Sequence, residues 1–383
     1  MLFELEVGDA LAQRLELTLE LQAAFIAGTQ FGGEVVVLAA LGRQVGLALH
    51  LDVERILQTG LCGSVGQACE VFLHTHFFGS HRGRLLRSGG DDAFASMEMR
   101  ILDQQADAAD LTQLGFDPVT EKKINRYSQM KTGLFLVTGP TGSGKSTTLY
   151  GALKLIDPVS RWVQTIENPI EYSHGLWMQY QVPRSAANEG AGAALILKGL
   201  LRNAPDVILQ GEVRDAEIGR LLLELANTGH LAVSTLHANT SADAITRLKL
   251  FELDMPGLAS VLLGILAQRL VRCLCPKCKI PEDRAEVLAQ LSADWLRSTA
   301  STPHQASPVG CPFCNYTGYH GRHMAYELLD VNANVVKAIE EDRPPNAIAQ
   351  AGIDPNGTLR ANAMRLVAKG LTSMDVVNQL VRA

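Results

Sequence analysis

Gly139-Pro140-Thr141-Gly142-Ser143-Gly144-Lys145-Ser146 fits the pattern G-x-x-x-x-G-K-[ST] at every fixed position. The apolar run Leu134-Phe135-Leu136-Val137-Thr138 precedes it and reads as a buried parallel strand. Thr147-Thr148-Leu149-Tyr150 and Ala152 to Ile156 follow it and read as a helix. Strand, glycine loop and helix is the context the pattern needs. Three glycines let the loop turn its backbone N–H groups inward, in conformations a side chain would forbid. Those groups, with the positive end of the next helix, hold a polyphosphate. Lys145 is placed for the β- and γ-phosphates and the Ser146 hydroxyl for Mg²⁺, so Gly139 through Thr147 are the candidate binding residues. The competing reading is a glycine-rich turn that binds nothing. An eight-residue match in this context speaks against it.

Beyond the loop the chain alternates helix and apolar strand, the signature of a parallel α/β sheet. Trp162 to Ile166 reads as a strand that ends in Glu167-Asn168-Pro169-Ile170-Glu171-Tyr172. Ligands of such sheets bind at the carboxyl ends of the strands, so Glu171 is a candidate to orient or deprotonate an attacking water. The competing reading is a turn on Pro169 with exposed acids. A helix is expected at Ala194 to Arg202. Asp206 to Glu212 is then a buried strand ending in an acid, the form of a Walker B element. Glu212 there holds the Mg²⁺ shell or polarises water. Asp215 is expected to cap a helix, and Leu221 to Thr228 reads as helical. His230 to His237 is a fourth strand with a histidine at each end. Ser234, Thr235 and His237 fall at its carboxyl end, where a γ-phosphate would be sensed, while His230 reads equally as structural. Ser241 to Leu250 is a further helix and includes Arg247.

Cys275-Pro276-Lys277-Cys278 and Cys311-Pro312-Phe313-Cys314 are two C-x-x-C pairs separated by 32 residues, 279 to 310. Each pair can offer two thiolates to one tetrahedral ion, and two pairs close a Cys₄ structural zinc site. Redox chemistry is the competing reading, but it needs one pair rather than two. The stretch between them implies an insertion within 273–322 with its own helix, Ala285 to Leu296. Cys273 lies outside the pattern, and Cys62 and Cys69 read as buried thiols. Asn332 to Ala383 reads as helices with a turn at Asp354-Pro355-Asn356-Gly357.

The remaining features bound the class. A chain of 383 residues makes about two domains. It is 47% hydrophobic and 19% charged, with net charge −6, so no global basic field holds nucleic acid. The sequence shows no membrane span and no signal peptide, which leads us to expect a cytoplasmic protein. Residues 1–103 read as a small α+β domain. Helices are expected at Leu11 to Ala27, Val53 to Leu61 and Val65 to His74. Strands are expected at Glu34 to Leu38, Val45 to His50, Phe77 to Arg87 and Phe94 to Leu102, the last two around the turn Ser88 to Asp92. Arg82, Arg84, Arg87 and Arg100 read either as a solvated face or as arginines that reach phosphates across a boundary. Residues 104–112 are the expected linker, and 113–383 the expected phosphate-binding domain, in which Thr120 to Gln129 forms a first helix.

Four boxes in order carry a resemblance: Gly139–Ser146, Thr165–Tyr172, Asp206–Asp215 and Thr228–Asn239. With the cysteine pairs, Thr317-Gly318-Tyr319 and Gly321-Arg322, they resemble the ATPases of type II secretion and type IV pilus assembly, in particular the assembly-type members. The resemblance implies a RecA-like P-loop domain preceded by a PAS-like N-terminal domain, working as a homo-hexamer on ATP. It implies an inner-membrane platform protein as partner and a location peripheral to that membrane. Glu171 then matches the general base, Glu212 the Walker B glutamate, and His230 and His237 the histidine-box residues near the γ-phosphate. Asn168 stands where the aspartate box usually has an acid, and Gln210 where Walker B is more often apolar. Two alternatives stay open at this point: a type IV secretion or DNA-translocating motor, and a nucleotide-binding scaffold with negligible turnover.

Overall fold

The computed structural model of the chain describes residues 110–182, 189–291 and 302–382, together with six strands N-terminal to them. The chain divides into two compact units. One comprises Met1–Asp107 with Glu171–Ser173, and the other Ala108–Ile170 with His174–Ala383.

The first unit pairs β1 (Leu2–Glu4) with β2 (Thr18–Glu20) and builds a four-stranded sheet from β3 (Val35–Leu38), β4 (Cys69–Thr75), β5 (Gly79–Arg87) and β6 (Ala95–Arg100). Two expectations are corrected here. Thr18–Glu20, inside the stretch expected as helix, is extended and paired to Leu2–Glu4, and Cys69–Thr75, expected as helix, pairs with both β3 and β5. Cross-strand partners outweigh local propensity in both. Arg82 and Arg100 are Cα partners across β5 and β6. The expected elements at Val45 to His50 and Val53 to Leu61, the turn Ser88 to Asp92 and Cys62 lie outside the described residues.

The second unit opens with α1 (Pro118–Gln129). Asp117 caps it, accepting from the N–H groups of Val119 and Thr120, and proline takes the first helical position. Strand β7 (Gly133–Thr138), buried along its whole length, leads into the glycine loop and α2 (Lys145–Leu153). Helix α2 ends at Leu153, three residues before Ile156, and Asp157 ahead of Pro158 bars its continuation past there. Then come β8 (Val163–Glu167), β9 (Met178–Gln181), α3 (Glu189–Leu200), β10 (Val207–Gln210), α4 (Ala216–Asn227), β11 (Leu231–Leu236) and α5 (Ser241–Leu250). Asp215 caps α4 through the Ile218 N–H, as expected from its position.

After α6 (Met255–Val261) the chain runs into β12 (Leu262–Leu274), then β13 (Ile280–Pro281), α7 (Ala285–Leu288), β14 (His304–Gln305) and β15 (Tyr319–Asp330). Helix α7 lies at the start of the helix expected from Ala285 to Leu296; residues 292–301, which hold the end of that stretch, are outside the described set. Helices α8 (Ala333–Glu340), α9 (Pro345–Gly352), α10 (Leu359–Ala368) and α11 (Met374–Arg382) complete the chain, with the expected turn at Asp354–Gly357 between α9 and α10.

The large sheet runs β15-β12-β7-β11-β10-β8-β9. Its strands are parallel except β15, which pairs antiparallel with β12 along most of its length. One face presents Leu134, Leu136, Ile166, Ile208 and Ala232 to a core shared with α3 and α4. A second core packs α10 and α11 onto Val271 of β12 and Ala325 of β15. The parallel register brings the carboxyl ends of β7, β10 and β11 to one edge of the sheet, and the phosphate loop leaves from there.

Candidate functional site

The loop after β7 adopts the conformations its glycines permit. Gly139, Gly142 and Gly144 have φ of 146°, 76° and 86°. A Cβ on Gly139 would also lie 2.3 Å from the Gln268 carbonyl oxygen, so at that position both the dihedral and the space demand glycine. Gln268 is the brace of the loop. It is buried in β12, its amide donates to the Ser143 carbonyl at 2.7 Å, and its amide oxygen accepts from the Thr148 hydroxyl at 2.8 Å. Pattern reading of the sequence missed it, since a glutamine inside a leucine-rich run bears no motif.

Lys145 folds back on the loop and donates to the carbonyls of Gly139 and Pro140, at 2.9 Å each. Ser146 and Thr147 follow it in the first turn of α2. Two residues after β10, Glu212 comes next to the end of β11. One of its oxygens accepts from His237 Nε2 at 3.1 Å, and the other from Arg214 Nε at 2.8 Å. Burial is the main cause that lowers the His237 pKa below its ordinary value of 6.5; the Lys145 ammonium adds to this and Glu212 opposes it. A neutral imidazole with its proton on Nε2 fits the bond to Glu212. Arg247 of α5 and Arg214 also act on His237, so three cations surround this one carboxylate–imidazole pair. Lys145, Glu212 and His237 are therefore one cluster, as the motif order leads us to expect.

His230 is not part of it. It stands at the start of β11, where its Nδ1 is 3.1 Å from both the Leu225 carbonyl and the Thr228 hydroxyl. The six-residue strand between the two histidines separates them by roughly 20 Å. The two histidines expected beside one phosphate are not brought together: a parallel strand sends its two ends to opposite edges of the sheet. Glu171 groups with Tyr172 and Ser173 in the first unit. Glu167, which the competing reading of this turn left exposed, is buried. Its carboxylate takes hydroxyls from Tyr150 and Thr165, each at 2.7 Å, and an amide N–H from Gln179. Such bonds hold a buried carboxylate as part of the scaffold.

Beside the loop lies a hollow of about 330 Å³, walled by Pro140 to Ser143 and by Arg269, Arg272 and Arg322. Arg272 lies over the Tyr319 ring at 4.2 Å, and Arg269 reaches Asn239. Arg322 entered the sequence reading only as part of Gly321-Arg322, and Arg269 and Arg272 do not stand out there, because β12 itself was not legible in it.

The two C-x-x-C pairs converge. Their four sulfur atoms lie within 4.8 Å of one another. Sulfur separations of 3.7 Å (Cys275 to Cys311), 3.8 Å (Cys278 to Cys314) and 3.8 Å (Cys311 to Cys314) match the roughly 3.8 Å edge of a tetrahedron with Zn–S bonds of about 2.3 Å. Burial opposes charge on Cys314, yet the N–H groups of Cys311 and Gly318 donate to its sulfur and draw its pKa down to about 6. The residues fit a zinc ion, and Cys273 stays outside the group.

The description "Type II/IV secretion system protein" matches residues 92–381 as a family model. The chain belongs to this family. A type II secretion system protein E of Aeromonas hydrophila is 38% identical over 284 residues, covering 74% of this chain and 56% of the relative. The type IV pilus assembly ATPase TfpB of Acinetobacter baylyi is 38% identical and covers 74% of this chain and 48% of its own length. The chain thus spans about half the length of these family members. The crystal structure of the pilus retraction motor PilT with bound ADP superposes with a TM-score of 0.58 at 26% identity, over 85% of this chain and 79% of that one. The α/β fold with its mostly parallel central sheet is that of the family's motor ATPases. No helix among the described residues is long and apolar enough to cross a membrane.

Proposed function

We propose that this chain is a motor subunit that hydrolyses ATP to drive assembly of a type IV pilus or a type II secretion pseudopilus. The observation that supports this best is the cluster of Lys145, Glu212 and His237 at the mouth of the glycine loop. The loop amides grip the triphosphate, and Lys145 exchanges two carbonyl partners for the β- and γ-phosphates. Ser146 and Glu212 offer the hard oxygen donors that Mg²⁺ prefers, and the ion would neutralise charge building on the phosphates. Glu212, oriented by His237 and Arg214, directs the attacking water, and Glu171 is the further candidate base. His237 stays neutral near pH 7, and its Nε2–H, donated to Glu212, holds that carboxylate at the mouth of the loop. The basic hollow beside the loop takes the ribose and base.

The four cysteines would hold a structural Zn²⁺, joining the segment after β12 to the segment before β15. By the chain's family, the working form is a homo-hexamer in the cytoplasm, docked at the inner membrane on a platform protein. ATP turnover by the purified full chain with Mg²⁺ tests the central claim. Lys145→Ala is expected to abolish it, and normal turnover in that variant would overturn the assignment.

A further inference from the structure

The hollow beside the phosphate loop has a further wall, formed by the last helix. Val376, Gln379 and Leu380 of α11 line it together. They sit at i, i+3 and i+4, which is one face of a helix. Val376 and Leu380 are apolar, and Gln379 is exposed to solvent. Pro140 to Ser143, the first half of the glycine loop proposed above to hold the phosphates, form another wall of the same hollow. A planar base next to that end meets two aliphatic side chains and one amide.

We propose that Gln379 reads the base of the nucleotide and favours adenine over guanine. This rests on the nucleotide-binding function proposed above. An amide has one donor and one acceptor side by side, which match N7 and the N6 amino group of adenine. Guanine puts two acceptors, N7 and O6, in those places and leaves the amide oxygen facing another oxygen. Arginines act in the opposite sense. They only donate, and a guanidinium pairs with guanine O6 and N7. Of the three that line the hollow, Arg272 lies on the Tyr319 ring and Arg269 reaches Asn239. Removing the amide therefore shifts the balance toward guanine rather than weakening both bases alike. Gln379 is exposed, so its replacement takes no side chain from the core.

The test is competition of ATP, GTP and tripolyphosphate against a fluorescent nucleotide on the full chain. The unaltered chain is expected to prefer ATP over GTP by about tenfold to a hundredfold. Gln379→Ala brings that ratio to near one, with the tripolyphosphate affinity retained. Gln379→Glu, which keeps the acceptor and loses the donor, falls between the two. An ATP to GTP ratio that Gln379→Ala leaves unmoved overturns the proposal while nucleotide binding stands. A loss of tripolyphosphate affinity in Gln379→Ala overturns it too, since the effect is then on the phosphate end. If none of the three competitors binds, the nucleotide function itself fails and the base reading with it.

Discussion

The two ends of β11 begin from similar sequence and finish in different chemistry. Each end has a histidine next to a threonine or a small residue, and each lies in the same motif box. At the carboxyl end, His237 meets a carboxylate and is surrounded by the cations Lys145, Arg214 and Arg247. At the amino end, His230 meets only a helix-ending carbonyl and a hydroxyl. The difference arises from the parallel sheet. Its carboxyl edge gathers loops that follow β7, β10 and β11, whose polar ends converge. Its amino edge gathers the ends of helices, whose unpaired carbonyls need donors. One histidine pairs with a carboxylate among cations and the other finishes a helix.

The sharpest way to break this comparison is at the carboxyl edge. Glu212→Gln keeps the shape and a partner for Arg214 but removes the charge to which the proposed function assigns the direction of water. ATP turnover is expected to fall by roughly 10²–10⁴-fold, with nucleotide affinity much less affected. Steady-state rates alongside equilibrium binding check this, and a fall of less than tenfold would move the base function elsewhere, Glu171 first. A smaller effect is expected from a third place, the cysteine cluster. Metal analysis should find about one zinc per chain. Stripping it with a chelator frees the junction between Cys275 and Gly318, where the two strands meet. Loss of about 3 kcal/mol, a fraction of a structural zinc's binding free energy, lowers the unfolding midpoint by roughly 6–12 °C. An unchanged midpoint after complete metal removal would show that the four thiols need no ion.

The glycine loop, β7, β8, β10 and β11 were legible because a buried parallel strand is a short apolar run and its motifs sit at one end. Helix α5 was legible because Ser241 to Leu250 has helical periodicity between a capping Thr240 and a helix-ending Phe251. Strands β12 and β15 were not. Leu262–Leu274 is rich in leucine, and only its place between β7 and β15 makes it extended. What β12 supplies to the site was hidden with it: the Gln268 brace, Arg269 and Arg272; Arg322 of β15 was noted only as part of Gly321-Arg322, with no place in the site. The burial of Glu167 was not legible for a related reason. Its burial depends on Tyr150 of α2 and Gln179 of β9, partners that no local window contains.

The smallest effect is expected at the amino edge, and it is the one that tests the comparison itself. His230→Ala removes a ring nitrogen that sits 3.1 Å from the Leu225 carbonyl. The backbone N–H of residue 230 also donates to that carbonyl, so the acceptor is not orphaned. The cost is then near the net worth of one hydrogen bond, about 1 kcal/mol, or roughly 2–4 °C in the unfolding midpoint. Turnover per folded chain is expected to hold. Differential scanning calorimetry and steady-state hydrolysis on the same preparation separate the two quantities. A collapse of turnover with the midpoint retained would mean that His230 acts on a nucleotide held by another copy of the chain, and the two edges of the sheet would then share one chemistry.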